Sequence, residues 1–341
     1  MTDADSSGVP VIDLGLDPSQ DSSTVQPSPA IIDAVAHAAE HHGFFQVVNH
    51  GVDPALIDAM WDQTTAFFAL PTEVKRRILR SRENTRGYYD RELTKNKRDQ
   101  KEVFDLGRVP FPELGPDDPR NHHAVDGRNQ WPDLPGFRST MIDYLAACEQ
   151  LSLHLLGAFT AGLGESATYL HEHFGTDHTS AMRLNHYPTA DVLAPDEAAD
   201  ETPLGDMALH HHSDAGALTL LLQDNVGGLQ VERNGVWIDV EPLAGAIVVN
   251  TGDMMQVWSN DRYQAALHRV SQRTTDERYS IPYFFNPSYS TVYEPLPGSV
   301  RPGDTPHYRP IRWADFRQGR ADGDFADYGA EIQITDFRID A

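Results

Sequence analysis

Cysteine is almost absent from this 341-residue chain. Cys148 stands alone, so no intramolecular disulfide and no cysteine-rich zinc site can form. Positive charge is scarce as well. Against 51 acidic residues stand 27 basic ones, a formal net charge of −24. Such a chain lacks the basic footprint of a nucleic-acid-binding protein, and an anionic membrane surface would repel it. No apolar run approaches the roughly 18 residues that suggest a membrane-spanning helix. Met1 to Gly8 has neither the basic nor the apolar part of a signal peptide. No internal repeat, glycine-rich phosphate loop or Gly-x-Ser-x-Gly nucleophile elbow occurs. The expectation is a cytoplasmic, monomeric protein with no nucleic-acid or membrane partner.

What is present divides into two halves. Val9–Leu14 reads as a strand, and Ile31, Ile32, Val35, Ala38 and Ala39 recur at helical spacing up to Gly43. Phe44–Val48 is a compact apolar strand. Asp53-Pro54 offers an N-cap acid followed by proline in the first turn, and a third helix follows Pro71-Thr72. A long stripe from Phe137 through Cys148 to Phe159 marks one more helix, ending at Gly162 and Gly164. From about Met182 short strands take over: Met182–Tyr187, Ala217–Leu222, Leu229–Glu232, Val236–Val240, Ala246–Asn250, Met255–Trp258 and Tyr279–Phe285. Asn234-Gly235 is a tight hairpin turn. Many short strands with regular turns predict a sandwich or barrel, and a double-sheet jelly roll fits the count.

Charge is unevenly placed. All four lysines fall between Lys75 and Lys101, with Arg76, Arg77, Arg80, Arg82, Arg86, Arg91 and Arg98. That segment reads as a solvated helix face and charged loop, or as a lid drawing in a carboxylate-bearing substrate. Asp191 to Asp206 holds six acids and no base, and reads as a mobile surface loop.

Of 16 histidines, only His212 is followed two residues later by an acid, Asp214. On a strand, side chains at i and i+2 share a face, so both reach one ion while Ser213 points away. With His268 they form two imidazoles and one carboxylate, a set that leaves three adjacent positions open on non-haem Fe(II). Two further same-face pairs occur. Arg278 and Ser280 offer a planar guanidinium fork and a hydroxyl suited to a carboxylate. Asn185 and Tyr187 add an amide and a phenol.

The chain resembles the isopenicillin N synthase-like family of Fe(II)/2-oxoglutarate-dependent dioxygenases. The resemblance rests on Val9–Leu14, the run His42–Val52, Arg86-Gly87-Tyr88, Lys101-Glu102-Val103-Phe104 and Asn185–Pro188. It continues through His212–Leu222, Gly227–Val231, Gly252-Asp253, His268-Arg269-Val270 and Arg278–Asn286, in the family's order from Val9 to Pro287. The interval 268 − 214 = 54 suits the family. Ser213 stands where threonine is frequent, and His186 and Thr189 replace the tyrosine and second proline of many plant members.

The resemblance implies an α+β, mainly β fold: a double-stranded β-helix (jelly-roll) core with N-terminal and supporting α-helices. It implies an N-terminal region at 9–125, a catalytic core at 178–290 and a C-terminal extension at 291–341 packing on the core. It implies Fe(II) bound by His212, Asp214 and His268, and 2-oxoglutarate bound by Arg278 and Ser280 with Tyr187 and Asn185. O2 is the other co-substrate, and succinate and CO2 are released as a small-molecule C–H bond undergoes hydroxylation, desaturation or ring closure. Arg86, Tyr88, Lys101 and Phe104 are placed near the mouth of the site and Phe285 on its wall, with Arg86 pointing to a carboxylate-bearing substrate. Asn49 and His50 are implied to be structural. Three alternatives stand beside this reading: an oxidase of the same fold that dispenses with 2-oxoglutarate, a non-catalytic binding protein with a vestigial site, and a zinc hydrolase.

Overall fold

The structure, a computed structural model, describes residues 8–81, 84–94, 97–108, 127–272, 275–324 and 332–339. Arg82 and Lys95 of the basic segment, and the end of the 9–125 region from 109 onward, lie outside the described residues.

Sixteen strands are described. They are β1 (Val11–Leu16), β2 (Phe44–His50), β3 (Gly87–Tyr89), β4 (Leu93–Thr94), β5 (Lys97–Arg98), β6 (Glu102–Gly107), β7 (Ala181–Tyr187) and β8 (Leu209–His212). There follow β9 (Leu218–Gln223), β10 (Leu229–Arg233), β11 (Val236–Asp239), β12 (Ile247–Thr251), β13 (His268–Val270), β14 (Arg278–Phe285), β15 (Val292–Tyr293) and β16 (Ile311–Arg312). The helices are α1 (Pro29–His41), α2 (Pro54–Phe68), α3 (Thr72–Lys75), α4 (Phe137–Gly162), α5 (Pro195–Ala198), α6 (Asp253–Trp258) and α7 (Trp313–Asp324).

Two sheets build the jelly roll. The larger runs β1-β2-β12-β9-β14-β7-β6-β3 and the smaller β11-β10-β13-β8. Between them lies a small apolar layer that includes Phe44, Leu229, Val231, Val248 and Val270. The outer face of the large sheet carries the main core, against α1, α2 and α4. Strand alternation makes this division. On β9, Leu218, Leu220 and Leu222 enter the main core, while Thr219 and Leu221 face the space between the sheets.

Local chemistry explains the boundaries. Ser28 caps α1, accepting from the Ile31 amide with Pro29 in the first turn, and Asp53 caps α2 in the same way through the Ala55 amide. The stripe of α4 is buried along its length. Asn234 and Gly235 take φ of 52° and 80°, the left-handed pair that a two-residue hairpin between β10 and β11 requires.

Two expectations need correction, and a third, the helix after Pro71, is met in a short form. Met255–Trp258 belongs to a short helix, α6, rather than a strand. A brief apolar run fits either a buried strand or one buried helical turn, so periodicity does not separate them. The helix after Pro71 has only four residues before it tightens into a 3-10 turn. The acidic stretch is no free loop: its carboxylates pair with the basic segment. Arg98 grips Asp191 (2.7 Å), Arg76 grips Glu197 (2.7 Å) and Arg91 meets Glu201 (2.7 Å). These bridges tie the two charged segments together at three points, and Lys75, Arg80 and Lys101 pair instead with Glu102, Glu92 and Asp99, so much of the basic segment is paired and not simply solvated.

Candidate active site

His212 ends β8 directly opposite His268 on β13, and their ring centres are 4.3 Å apart. Asp214 lies in the turn just past β8, so the strand rule brings only His212 to the site and the turn brings the acid. Each imidazole Nε2 is 3.8 Å from Asp214 Oδ1. Ligand atoms of these three residues all lie within 4.8 Å of one another, and no other such group occurs among the described residues.

Neighbouring groups leave the right lone pairs free. The His212 Nδ1–H donates to the His210 carbonyl (2.9 Å) and the His268 Nδ1–H to the Ala266 carbonyl (3.3 Å), which exposes both Nε2 atoms. The Thr219 hydroxyl (2.5 Å) and Asn250 Nδ2 (2.8 Å) donate to Asp214 Oδ2, leaving Oδ1 turned to the imidazoles. Burial, and then the neighbouring His268, hold His212 well below the usual histidine range, so its ring is neutral. Burial pushes the Asp214 carboxyl up, but His268, His212 and the two hydrogen-bond donors outweigh it and keep the group ionised.

The second cluster sits across the cavity floor. Arg278 pairs in register with Tyr187, and Ser280 with Asn185. Arg278 is 1% exposed, yet none of its three guanidinium nitrogens has a hydrogen-bond partner among the described residues. A buried cation of this kind calls for an anion. The Asn185 amide donates to the Ser280 hydroxyl oxygen (3.3 Å), which leaves the Ser280 O–H to donate elsewhere. Arginine fork, hydroxyl and phenol therefore fit a carboxylate, and the two imidazoles with one carboxylate fit Fe(II).

Both clusters open onto one cavity of about 730 Å³, which Arg86 and Lys101 also line. Tyr88, Phe104 and Phe285 do not line it. All three are buried in the main core on the opposite face of their strands. The Tyr88 hydroxyl donates to Glu102 (2.6 Å), Phe104 packs on Phe67 and Phe137, and Phe285 stacks on Phe174. Tyr89, Asp105 and Phe284 take the cavity positions instead.

The sequence singled out neither Glu92, Asp105 nor Arg183, and it read Arg80 only as one member of the basic segment. Arg183 binds Asp105 with two nitrogens (2.7 and 2.8 Å) and Glu92 with the third (3.1 Å), and Arg80 bridges the same two acids. Arg183 carried a readable signal, since it precedes Asn185 and Tyr187 on the same face. Arg317 and Arg320 of α7, which also face the cavity, carried none.

Comparisons with known proteins agree with this geometry. Residues 9–134 match the family model for the N-terminal region of the non-haem dioxygenase in morphine synthesis, and residues 178–287 match that of the 2OG-Fe(II) oxygenase superfamily. The chain is 34% identical over 306 residues to the 2-oxoglutarate-Fe(II) type oxidoreductase hxnY of Emericella nidulans, covering 85% of this chain and 83% of that one. It is 33% identical over 313 residues to gibberellin 20 oxidase 2 of Oryza sativa, covering 90% and 74%. A crystal structure of JOX2 with 2OG, Fe and JA superposes with a TM-score of 0.72 at 30% identity, covering 91% of this chain and 84% of that one. The dioxygenase for auxin oxidation of rice gives a TM-score of 0.69 at 27% identity, covering 97% and 100%. The chain belongs to the 2-oxoglutarate-Fe(II) oxygenase superfamily and is an oxidoreductase that uses Fe(II) and 2-oxoglutarate.

Proposed function

We propose that the protein oxidises a C–H bond of a small anionic molecule, a carboxylate above all, held at the Arg86 end of the cavity. His212, Asp214 and His268 hold the iron in this reading. Arg278 and Ser280, with Tyr187 and Asn185, hold the distal carboxylate of 2-oxoglutarate. When bound, iron and 2-oxoglutarate supply the oxidising chemistry, with O2 consumed and succinate and CO2 released. The protein's part is placement. Backbone carbonyls fix both histidine tautomers, Thr219 and Asn250 fix the Asp214 carboxylate, and apolar walls such as Phe44, Leu221 and Val270 keep water from the reacting face.

Charge in the cavity carries the substrate reading. In a chain of net charge −24, the lining holds Arg80, Arg86, Lys101, Arg183, Arg278, Arg317 and Arg320 against Glu92, Asp105 and Asp214; with the buried partners Asp99 of Lys101 (3.2 Å) and Asp253 of Arg320 (3.6 Å) counted, the excess is 7 − 5 = +2. Ferrous iron and doubly ionised 2-oxoglutarate cancel, so the bound state keeps that excess. A positive, partly enclosed cavity in an acidic protein favours an anion. The cavity is complete within one chain, so the reaction needs no residue from a second copy; a monomer is the state proposed, and sedimentation measures it directly.

Succinate release with matched acids and their amides or methyl esters tests the reading. Acids should be turned over far better, and Arg86→Ala should raise KM for acids while sparing the neutral analogues. Equal turnover of acids and neutral analogues would end it.

A further inference from the structure

The turn that carries Asp214 is held from outside the core. Arg320, 5% exposed, lies on α7, beyond residue 287 where the match to the superfamily core ends. Its Nη2 donates to the carbonyl of Ser213 (2.9 Å), the residue between His212 and Asp214. Its Nη1 lies 3.6 Å from Asp253 Oδ2 and donates to Gln333 Oε1 (3.2 Å). The Asp253 amide in turn donates to the Asp214 carbonyl (2.7 Å). Thus the peptide carbonyls on both sides of the Asp214 Cα are fixed, one by Arg320 and the other by the residue Arg320 pairs with. Behind the turn, Gly252 leaves no slack: a Cβ there would meet the Gly216 carbonyl at 2.3 Å and the Asp214 carbonyl at 2.8 Å.

We propose that Arg320 is a positioning residue for the iron site, setting the backbone of Asp214 so that its carboxylate meets the two imidazoles. The inference rests on His212, Asp214 and His268 being the iron ligands. Helix α7 is then a clamp as well as a wall, because Arg317 and Gln318 on the same helix face the cavity. Anything that presses on that wall is felt by a metal ligand through one guanidinium. A purely scaffolding role for Arg320 would tie it to the stability of α7 alone. That helix has a separate anchor, Trp313, whose Nε1 donates to the Thr179 hydroxyl (2.9 Å).

Anaerobic Fe(II) titration of the full chain, followed by metal competition and by the visible band formed with 2-oxoglutarate, separates the two roles without any turnover. Arg320→Gln should weaken Fe(II) binding by about tenfold or more, in the range typical of groups that orient metal ligands. Trp313→Phe, which keeps an aromatic ring in the cavity lining but loses the bond to Thr179, loosens the same helix away from the Asp214 turn and should leave iron affinity unchanged. Arg320→Lys, the milder change, should fall between wild type and Arg320→Gln, and gives the reading if Arg320→Gln does not fold. Wild-type iron affinity in Arg320→Gln or Arg320→Lys overturns the proposal. Equal weakening in Arg320→Gln and Trp313→Phe, in step with their melting temperatures, overturns it too. His212→Ala guards the premise: unchanged iron binding there defeats the ligand assignment itself, whereas its loss beside a normal Arg320→Gln defeats only the role of Arg320.

Discussion

Arg278 and Tyr187 face each other across β14 and β7, and the guanidinium carbon lies 4.9 Å from the centre of the tyrosine ring. The ring face attracts the cation, a contribution of about 2 kcal/mol for a desolvated pair. That does not replace the hydration lost by a guanidinium 1% exposed. The pair is preorganised for a carboxylate at the expense of the protein without one.

Arg278→Met should therefore leave the ligand-free protein as stable as wild type or more so, since it removes a buried charge. It should lower 2-oxoglutarate affinity by roughly a hundredfold, the loss of about 3 kcal/mol of charge-assisted bonding. Thermal unfolding with iron, with and without 2-oxoglutarate, reads both effects. At a ligand concentration of 100 Kd wild type gains about 2.7 kcal/mol. An equal gain in Arg278→Met would remove the assignment.

Thr219 and Asn250 make the next prediction. Thr219→Val keeps the shape of the side chain but loses the hydroxyl that donates to Asp214 Oδ2. The carboxylate can then swing, and Fe(II) affinity should fall by about tenfold, with a larger fall when Asn250→Leu is added. Anaerobic titration measures it. Should the double variant bind iron as tightly as wild type, the carboxylate is oriented by something else.

How much of this was legible in the sequence follows from the period of a strand. His212, Asp214 and His268 were readable because their residue types and order point to one chemistry, although a turn and not the strand period delivers Asp214; Arg278/Ser280 and Asn185/Tyr187 were readable because polar pairs at i and i+2 share a face. Tyr88, Phe104 and Phe285 failed for the same reason turned round. Aromatic side chains suit core and cavity equally, so nothing in residue type fixes which face of the strand they take. A shift of one residue decides it: Tyr89 and Phe284 line the cavity where Tyr88 and Phe285 do not. Register across β3, β6 and β7 sets Tyr88 beside Phe104 and Phe104 beside Leu184, all turned to the helices. That pairing is tertiary information. Arg320 was hidden for another reason, since a helix 106 residues after Asp214 (320 − 214) leaves no local pattern around the turn it holds.

The clasp between the basic and acidic segments should be strong at one point and weak elsewhere. The Arg98 side chain is 3% exposed and holds Asp191 through both terminal nitrogens as well as the Thr202 carbonyl (2.9 Å). Arg76 is 26% exposed and Glu197 33%. Screening leaves an exposed pair little to contribute, while truncating one partner of a largely buried pair costs about 3 kcal/mol. Arg98→Ala should thus destabilise the fold several times more than Glu197→Gln, which breaks the exposed pair but spares the bond of Arg76 to the buried Asp90 (2.8 Å), and only the Glu197 effect should shrink in high salt. Urea unfolding of both variants at two ionic strengths decides, and equal costs would show that burial does not rank these bridges.

Acid should destabilise the protein in two stages. Burial holds the His50 and His154 imidazoles below the usual histidine value, each against a backbone carbonyl, Gly245 or Val25, that pulls the other way. Between the lowered folded value and about 6.5, the unfolded chain binds protons that the folded one refuses. Their contribution is complete above about pH 6.5 and declines as pH falls, by up to about 1.4 kcal/mol per pH unit for each group. The second stage belongs to carboxylates. Burial pushes Glu102 up, but His186, Lys75 and Tyr88 outweigh it, and Asp99 is likewise brought below its ordinary value against its burial, chiefly by Lys101 and then His210. A depressed carboxyl stabilises the fold fully above its unfolded value, about 4, and ceases to do so as pH falls through the folded value. Unfolding free energy should therefore be level above pH 7, decline from about 6.5, and fall more steeply below about 4. Glu102→Gln should flatten only the lower stage. Urea midpoints from pH 8 to 3.5 test this, and a level profile down to pH 5 would show that the buried histidines are protonated as easily in the folded chain as in the unfolded one.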